Sequence, residues 1–452
     1  MSAPVSTVAV VGAGPAGTRA AEVLVRAGLR PVVLDEAPDN GGRIFQRPPP
    51  GFTRPYEALY GSVAPQARAL HAAFDGLRGR VDYRPSTLAW HLRPGTLHTL
   101  SDGQAGQVDF AQAILCTGAM DRVVPLPGWT RPGVTTLGGA QIALKTQGCA
   151  IGRRVAFLGT GPLLWLVAMQ YAKAGATVAA VLDTTPLATK ARQAPALLAG
   201  GRAFLTGLRM MAWPRLHGVK VVEGATPLEI TGTDGVDGLR YRGGGREHVL
   251  ACDAVAMGWG LKPETQLADL AGVPFDFDLV QRLHLPRRND AGRTPVVGIY
   301  LAGDGARIGG AELAELQGAR AAWSVVEDRG LPLDLPEIAR LDRAIAAQAG
   351  FRRALDLAFP YPHALAAEMP DATTLCRCEA VTAGELRAAA APHDLNRAKA
   401  LTRLGMGRCQ GRVCGPPGAE VLAAALGCEV SEVGRLRGQW PVKPVPLSMA
   451  AE

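Results

Sequence analysis

The chain has 452 residues, 48% of them hydrophobic and 19% charged, which allows about three domains and a large buried core. Lys and Arg total 48 against 40 acidic residues, a scattered net charge of +8 with no aromatic-interleaved basic stripe, so no nucleic-acid partner is expected. No apolar run reaches the ~18 residues of a membrane span, and the N-terminus lacks the pattern of a signal peptide. The eight cysteines are therefore expected in a reducing, cytoplasmic compartment, peripheral to a membrane at most through partners.

Residues 7–36 read as a strand–turn–helix–strand unit. Thr7 to Val11 is a buried strand, Gly12-Ala13-Gly14-Pro15-Ala16-Gly17 a turn, Thr18 to Ala27 a helix and Pro31 to Asp35 the next strand. In Gly12-x-Gly14-x-x-Gly17 the first glycine permits the tight turn, and the second lets a pyrophosphate approach the backbone. The third allows close helix–strand packing. The helix N-terminus supplies partial positive charge, and Pro15 and Ala16 of the turn are candidate cofactor contacts with the three glycines. Asp35, with Glu36 as its neighbouring substitute, ends the second strand where a carboxylate holds ribose hydroxyls.

A second unit repeats the plan with strand Arg154 to Leu158, turn Gly159-Thr160-Gly161-Pro162, a helix through Ala174 and strand Thr177 to Asp183. The fold class is α/β: two doubly wound dinucleotide-binding domains, one inserted in the other, followed by a small helical domain. The second fingerprint is damaged, because Leu164 replaces the third glycine and should push helix from strand, although Asp183 keeps the ribose position. NAD(P) is not the expected ligand there. No cysteine pair occurs at Thr135 to Ala140, where a thioredoxin-reductase-like arrangement would place it, which rejects disulfide reduction. Cys116, Cys149, Cys252 and Cys428 read as small buried hydrophobes.

We divide the chain into 1–128 and 265–345 (first nucleotide domain and its return), 129–264 (second Rossmann-like domain), 346–370 (connector), 371–430 (cysteine-rich domain) and 431–452 (extended tail). Strand Val296 to Leu301 and Gly303-Asp304-Gly305 belong to the return, and Asp304 is also a candidate N-cap for the helix that follows. Cys376-Arg377-Cys378 with Cys409-x4-Cys414 gathers four thiolates in a short helical segment. Soft thiolates suit zinc or iron–sulfur clusters, and the tight Cys-x-Cys clip favours [2Fe–2S] over a zinc knuckle. Amides of Gly405, Gly407 and Gly411 are candidate donors to sulfur, and Arg377, Arg403, Arg408 and Arg412 would offset the cluster's charge.

Gly41-Gly42-Arg43, Cys116-Thr117-Gly118-Ala119 and Gly303-Asp304, in this order after the first fingerprint, resemble the two-dinucleotide flavoprotein reductases. That resemblance implies FAD in the first site, with Gly303 and Asp304 at the flavin ribityl–phosphate and Thr117 and Gly118 near the dinucleotide. The segment Cys376-Arg-Cys-Glu through Thr402-Arg-Leu-Gly-Met-Gly-Arg-Cys409-Gln-Gly-Arg-Val-Cys414 resembles the [2Fe–2S] domain of the bacterioferritin-associated ferredoxin type. The whole chain is similar to the large subunit of bacterial heteromeric FAD-dependent amino-acid and opine dehydrogenases. Opine oxidase, hydroxyproline and proline dehydrogenases, hydrogen cyanide synthase and the sarcosine oxidase alpha chain are relatives. Pro132 to Gln141, Gly159 to Leu164 and Lys443-Pro-Val-Pro-Leu447 share the likeness, whereas Arg43 stands where many relatives carry glutamine. The resemblance implies FAD or another adenine nucleotide in the first site and FMN at a subunit interface. Its partners would be a smaller subunit resembling D-amino-acid oxidase and an external electron acceptor. The implied activity is oxidation of a C–N bond of an amino acid, imino acid or opine. A stand-alone NAD(P)H-dependent flavin/iron–sulfur reductase and a non-enzymatic scaffold are the rival readings. The eight histidines are isolated in sequence and read as structural, so no catalytic residue is assigned.

Overall fold

The computed structural model describes residues 7–390 and 394–446. Residues 1–6 and 391–393, and Leu447 with the rest of the tail, lie outside the described residues. Two five-stranded parallel sheets organise the flavoprotein half. The first runs in the order Ile299–Leu301, Gln112–Leu115, Val8–Val11, Val32–Leu34, Asp82–Arg84. Val8–Val11 is buried at every position, as a central strand covered on both faces must be. The chain thus leaves this sheet after Leu115 and returns to it at Ile299, beside Ala113.

The second sheet runs Val221–Glu223, Thr177–Asp183, Arg154–Thr160, Ala254–Trp259, Val134–Thr136. Its strand Arg154–Thr160 continues through Gly159 and Thr160, which the sequence pattern places in the turn. The apolar run from Leu163 falls in the helix Pro162–Lys173, which buries Leu164, Trp165, Val167, Ala168 and Tyr171. Each parallel sheet carries a three-stranded antiparallel sheet, Thr87–Asp109 and Thr226–Ala251. Ala119–Asp121 pairs with Leu261–Pro263 and joins the two halves.

The stretch 331–370 is mostly helix. Leu335–Ala358 runs for 24 residues, with Asp334 capping the Glu337 N–H and Pro336 in the first turn, where its missing N–H costs nothing. Among the described residues, no helix is long and apolar enough to cross a membrane. The C-terminal domain packs the helices Ala383–Ala388, Leu395–Thr402 and Gly415–Leu426 around Leu375, Leu386, Leu404 and Leu422.

The tail has no helix or strand through Pro446. Val442 is buried in the core of the first sheet, and its N–H donates to the Trp90 carbonyl. Burying a valine contributes about 1.5–3 kcal/mol, enough to pin an extended segment. Trp440 packs against Trp90 and His91, and His91 stacks on His98 of the adjacent strand.

Candidate functional site

The glycine turn sits at the C-terminal end of Val8–Val11. Gly12 has φ +104°, and its N–H donates to the Leu34 carbonyl at 2.7 Å, locking the turn to the next strand. A Cβ at Gly17 would lie 1.7 Å from the Gly12 oxygen, so only glycine lets the helix approach this closely. No side chain caps the helix Pro15–Arg26, and its first N–H groups are left for a ligand anion. Gly42 faces Gly14 across the opening, and the Gly41 N–H donates to the Ala13 carbonyl.

Asp35 accepts from the N–H groups of Ala13 (2.6 Å) and Ala37 (2.8 Å). Burial pushes its carboxyl up, against the pull of those two donors. Glu36 is the more open of the pair and carries ion pairs with Arg43, at 3.1 Å, and with Lys443 of the tail. Burial would raise Glu36, but Lys443 and Arg43 hold it below the usual carboxylate range. Arg43 is thus turned toward the second-strand carboxylate, and Lys443 is a neighbour of this site that sequence spacing could not reveal.

Thr117 and Gly118 abut the turn at Gly303–Gly305, where a Cβ on Gly305 would meet the Thr117 hydroxyl at 2.5 Å. Asp304 Oδ1 accepts from the N–H groups of Gly309 (2.8 Å) and Gly310 (2.9 Å). It therefore braces the loop before Ala311–Asp328, whose N-cap is Gly310, instead of capping the helix itself. Its buried carboxyl is pushed up by desolvation. The residues singled out in the first half, 12–17, 35–36, 42–43, 117–118 and 303–304, lie together at the C-terminal ends of the parallel strands, the crevice where this architecture takes its ligands.

The second crevice differs. Asp183 is fully buried and pairs with Lys190 at 2.8 Å, while its Oδ1 accepts from the Thr185 N–H. A carboxylate engaged in this way is an internal counter-ion. Leu164 fills the third glycine position and packs with Leu137 and Phe157 in the core, so a side chain stands where the first site brings backbone against backbone.

The four cysteines of the C-terminal domain come together, Cys376 beside Cys414 and Cys378 beside Cys409. Four thiols gathered in this way suit a [2Fe–2S] cluster, whose two irons take four thiolates. Among the described residues no group of three or more His, Cys, Asp or Glu side chains is set to hold a metal ion. The Cys414 thiol and the N–H groups of Gly405, Glu379 and Cys378 pull the Cys376 thiol down to about 6 against its burial, and the same pairing raises Cys414. Gly407 is glycine of necessity, since a Cβ there would meet the Cys378 Cβ at 2.3 Å. Two of the four arginines expected to offset the cluster are spent on carboxylates: Arg403 on Glu379 (2.8 Å) and Arg412 on Glu264 (2.5 Å). Arg377 lies over the Trp129 ring. Among the other cysteines Cys116 and Cys252 are buried, with thiols pushed up to about 12, but Cys428 is only half-buried and Cys149 is exposed, contrary to their reading as core residues.

Between the cluster domain and the flavoprotein half lies a cavity of about 110 Å³, lined in part by Lys262, Gln266, His284, Gln410 and Arg412. Lys262 is pushed down to about 8 by burial there. Thr117 donates to the Glu264 carbonyl at 2.5 Å and Gly118 accepts from the Glu264 N–H, so the cluster loop reaches the nucleotide strand end through one residue.

Residues 6–322 match the pyridine nucleotide-disulphide oxidoreductase family, and 374–424 match the BFD-like [2Fe-2S] binding domain. An opine oxidase subunit of Agrobacterium tumefaciens (strain Ach5) is 35% identical over 98% of this chain and 90% of its own length. Hydrogen cyanide synthase subunit HcnB of Pseudomonas protegens is 32% identical over 97% of this chain and 96% of its own. The crystal structure of L-proline dehydrogenase from P. horikoshii shares the fold, with a TM-score of 0.73 at 18% identity, covering 100% of this chain and 81% of that one. The two matched domains imply FAD and a [2Fe–2S] cluster, and the glycine cradle and paired thiols fit both. The chain therefore belongs to the pyridine nucleotide-disulphide oxidoreductase family, in the group of this opine oxidase subunit of Agrobacterium and with a BFD-like [2Fe–2S] domain appended.

Proposed function

We propose that this oxidoreductase chain is the electron-transferring large subunit of a heteromeric flavin-dependent dehydrogenase. The complex oxidises a C–N bond of an amino acid, an imino acid of the proline type or an opine. The observation that carries the reading is the clasp formed by Arg412, Glu264 and the Thr117-Gly118 strand end, which fixes the cluster loop against the first nucleotide crevice. FAD exchanges electrons in twos and ones, and a [2Fe–2S] cluster relays single electrons, so a chain holding both connects a two-electron donor to a one-electron route. Gly12, Gly14, Pro15, Ala16 and Gly17 would cradle the pyrophosphate, Asp35 and Glu36 the ribose, and Gly42, Arg43, Thr117, Gly118, Gly303 and Asp304 the rest of the dinucleotide. Cys376, Cys378, Cys409 and Cys414 would ligate the cluster. The donor site is assigned to a smaller FAD-binding subunit resembling D-amino-acid oxidase, with FMN at the interface and a separate electron acceptor. Eight cysteines without a disulfide suit a cytoplasmic setting.

Co-expression tests this reading. The lone chain should dehydrogenate no amino acid, imino acid or opine, and activity with an artificial acceptor should appear with the smaller subunit. Steady turnover by the lone chain would place the active site in this polypeptide. Rapid anaerobic bleaching of the lone chain by NADH would favour the stand-alone reductase.

A further inference from the structure

An ammonium taken out of water is costly unless an opposite charge or a carbonyl meets it. Two buried lysines obey that rule: Lys190 pairs with Asp183 at 2.8 Å, and Lys145 donates to the Ile44 carbonyl at 3.3 Å. Lys399, 7% exposed, and the half-buried Lys262 do not. Neither has a hydrogen bond or an ion pair among the described residues, and burial pushes both amines below the ordinary lysine value.

Both stand at the cysteines. Lys262, on the strand Leu261–Pro263 of the flavoprotein half, lines the inter-domain cavity with Gln410, Gly411 and Arg412 of the loop that carries Cys409 and Cys414. Lys399 lies on the helix Leu395–Thr402, whose Leu395 and Ala398 share a core with Cys376 and Cys414. Their charges act on different cysteines, Lys262 on Cys409 and Lys399 on Cys414.

The carboxylates of this region are already matched. Glu264 attracts Lys262, but both its oxygens are bonded by Arg412, at 2.5 and 3.1 Å. Asp269 is held by Arg435, Glu379 by Arg403 and Glu420 by Arg282. Each of those pairs is neutral, which leaves the two ammonium charges over. A [2Fe–2S] cluster on four thiolates is anionic, and reduction adds one further negative charge. The arginines suit the task of balancing it less well. Arg403 and Arg412 are committed to carboxylates, and Arg377 and Arg408 are exposed, where water and salt screen them.

We propose that Lys262 and Lys399 are the counter-charges of the [2Fe–2S] cluster and hold its reduction potential up by favouring the more negative, reduced form. Lys262 belongs to the flavoprotein half, so a cluster ligated by one domain takes part of its potential from the other. The inference rests on the cluster and not on which donor is oxidised.

The test is an anaerobic titration of the full chain with dithionite and redox dyes. It is followed by the visible absorbance of the cluster and by the electron paramagnetic resonance of its reduced form. It requires neither the donor nor the smaller subunit, so its failure is separable from that of the functional reading. A unit charge about 10 Å away inside a protein shifts a charge-changing equilibrium about tenfold. Lys262→Met and Lys399→Met should therefore each make reduction about tenfold less favourable, lowering the midpoint potential by about 59 mV. Lys262→Arg keeps the charge and should stay near the parent value, and Arg408→Gln should shift it by less than half as much. Iron content and the melting curve establish that each variant is loaded and folded, and Lys262→Gln repeats the neutralisation with a polar side chain. A midpoint unchanged in Lys262→Met and Lys262→Gln at full iron content would overturn the proposal. So would a drop in Lys262→Arg equal to that in Lys262→Met, which would assign the effect to packing, or a shift in Arg408→Gln as large as theirs.

Discussion

Arg412 and Glu264, from different domains, form a two-pronged ion pair, with Nε 2.5 Å from one carboxylate oxygen and Nη2 3.1 Å from the other. The same guanidinium donates to the carbonyls of Cys409 and of Val442, so it touches the cluster loop, the second domain and the tail at once. Removing one partner of a buried pair leaves the other charge stranded, at a cost of about 3–5 kcal/mol. Arg412→Ala should therefore loosen the cluster domain while the first nucleotide crevice keeps its ligand. Limited proteolysis should cleave between the cluster domain and the flavoprotein half faster than in the parent. An unchanged digestion rate and melting temperature would show that the pair carries no docking energy.

The same pair sets a pH dependence. Burial would raise the Glu264 carboxyl, but Arg412 and Lys262 outweigh it and hold the group below its ordinary value. An acid whose folded pKa is depressed gives its full stabilisation above the unfolded value, about 4.3 for glutamate, and loses it as pH falls through the folded value. Domain docking followed by proteolysis should be flat from about pH 7 to 5 and fail in stronger acid. Glu264→Gln should remove that acid limb. A limb that persists in the variant would assign it to another carboxylate.

Each of Cys376, Cys378, Cys409 and Cys414 replaced by Ser should lose iron and the visible cluster absorbance. The adenine nucleotide in the first crevice should remain, because that crevice is built on a different sheet. Iron analysis and nucleotide release on denaturation measure the two separately. Stoichiometric zinc without iron in anaerobically purified protein would contradict the [2Fe–2S] assignment.

NADH and NADPH should not reduce the chain at a useful rate. Leu164→Gly alone should not confer reduction, because Asp183 remains tied to Lys190. Rapid bleaching of the Leu164→Gly variant by micromolar cofactor would mean that the ion pair opens readily.

The local physics of turns made the two Rossmann units, the damaged fingerprint and the cysteine clip readable. Gly12 and Gly17 are legible from the turn they share, and Cys376-x-Cys378 from its own spacing, although Gly12 bonds to Leu34 and the clip meets Cys409 and Cys414 only in the fold. What the sequence concealed is long-range. Glu36 meets Lys443 across 407 residues and Glu264 meets Arg412 across 148, distances over which no periodicity carries information. Asp183 kept its ribose spacing in the sequence, and only the placement of Lys190 on the following helix shows that its charge is already matched. The connector assigned to 346–370 begins inside the long helix Leu335–Ala358, whose Pro336 stands in the first turn, where it interrupts nothing.

The route of the tail has a consequence for biogenesis. Val442 completes a core that begins at Ala9, and Lys443 sits on Glu36 at the mouth of the first crevice. A ribosome releases these residues after every other part of the first domain has emerged. The N-terminal fold consequently lacks one core side chain, and Glu36 lacks one of its two cations, until the tail is free. Truncation by a premature stop before Val442 would thus be felt at the opposite end of the gene product.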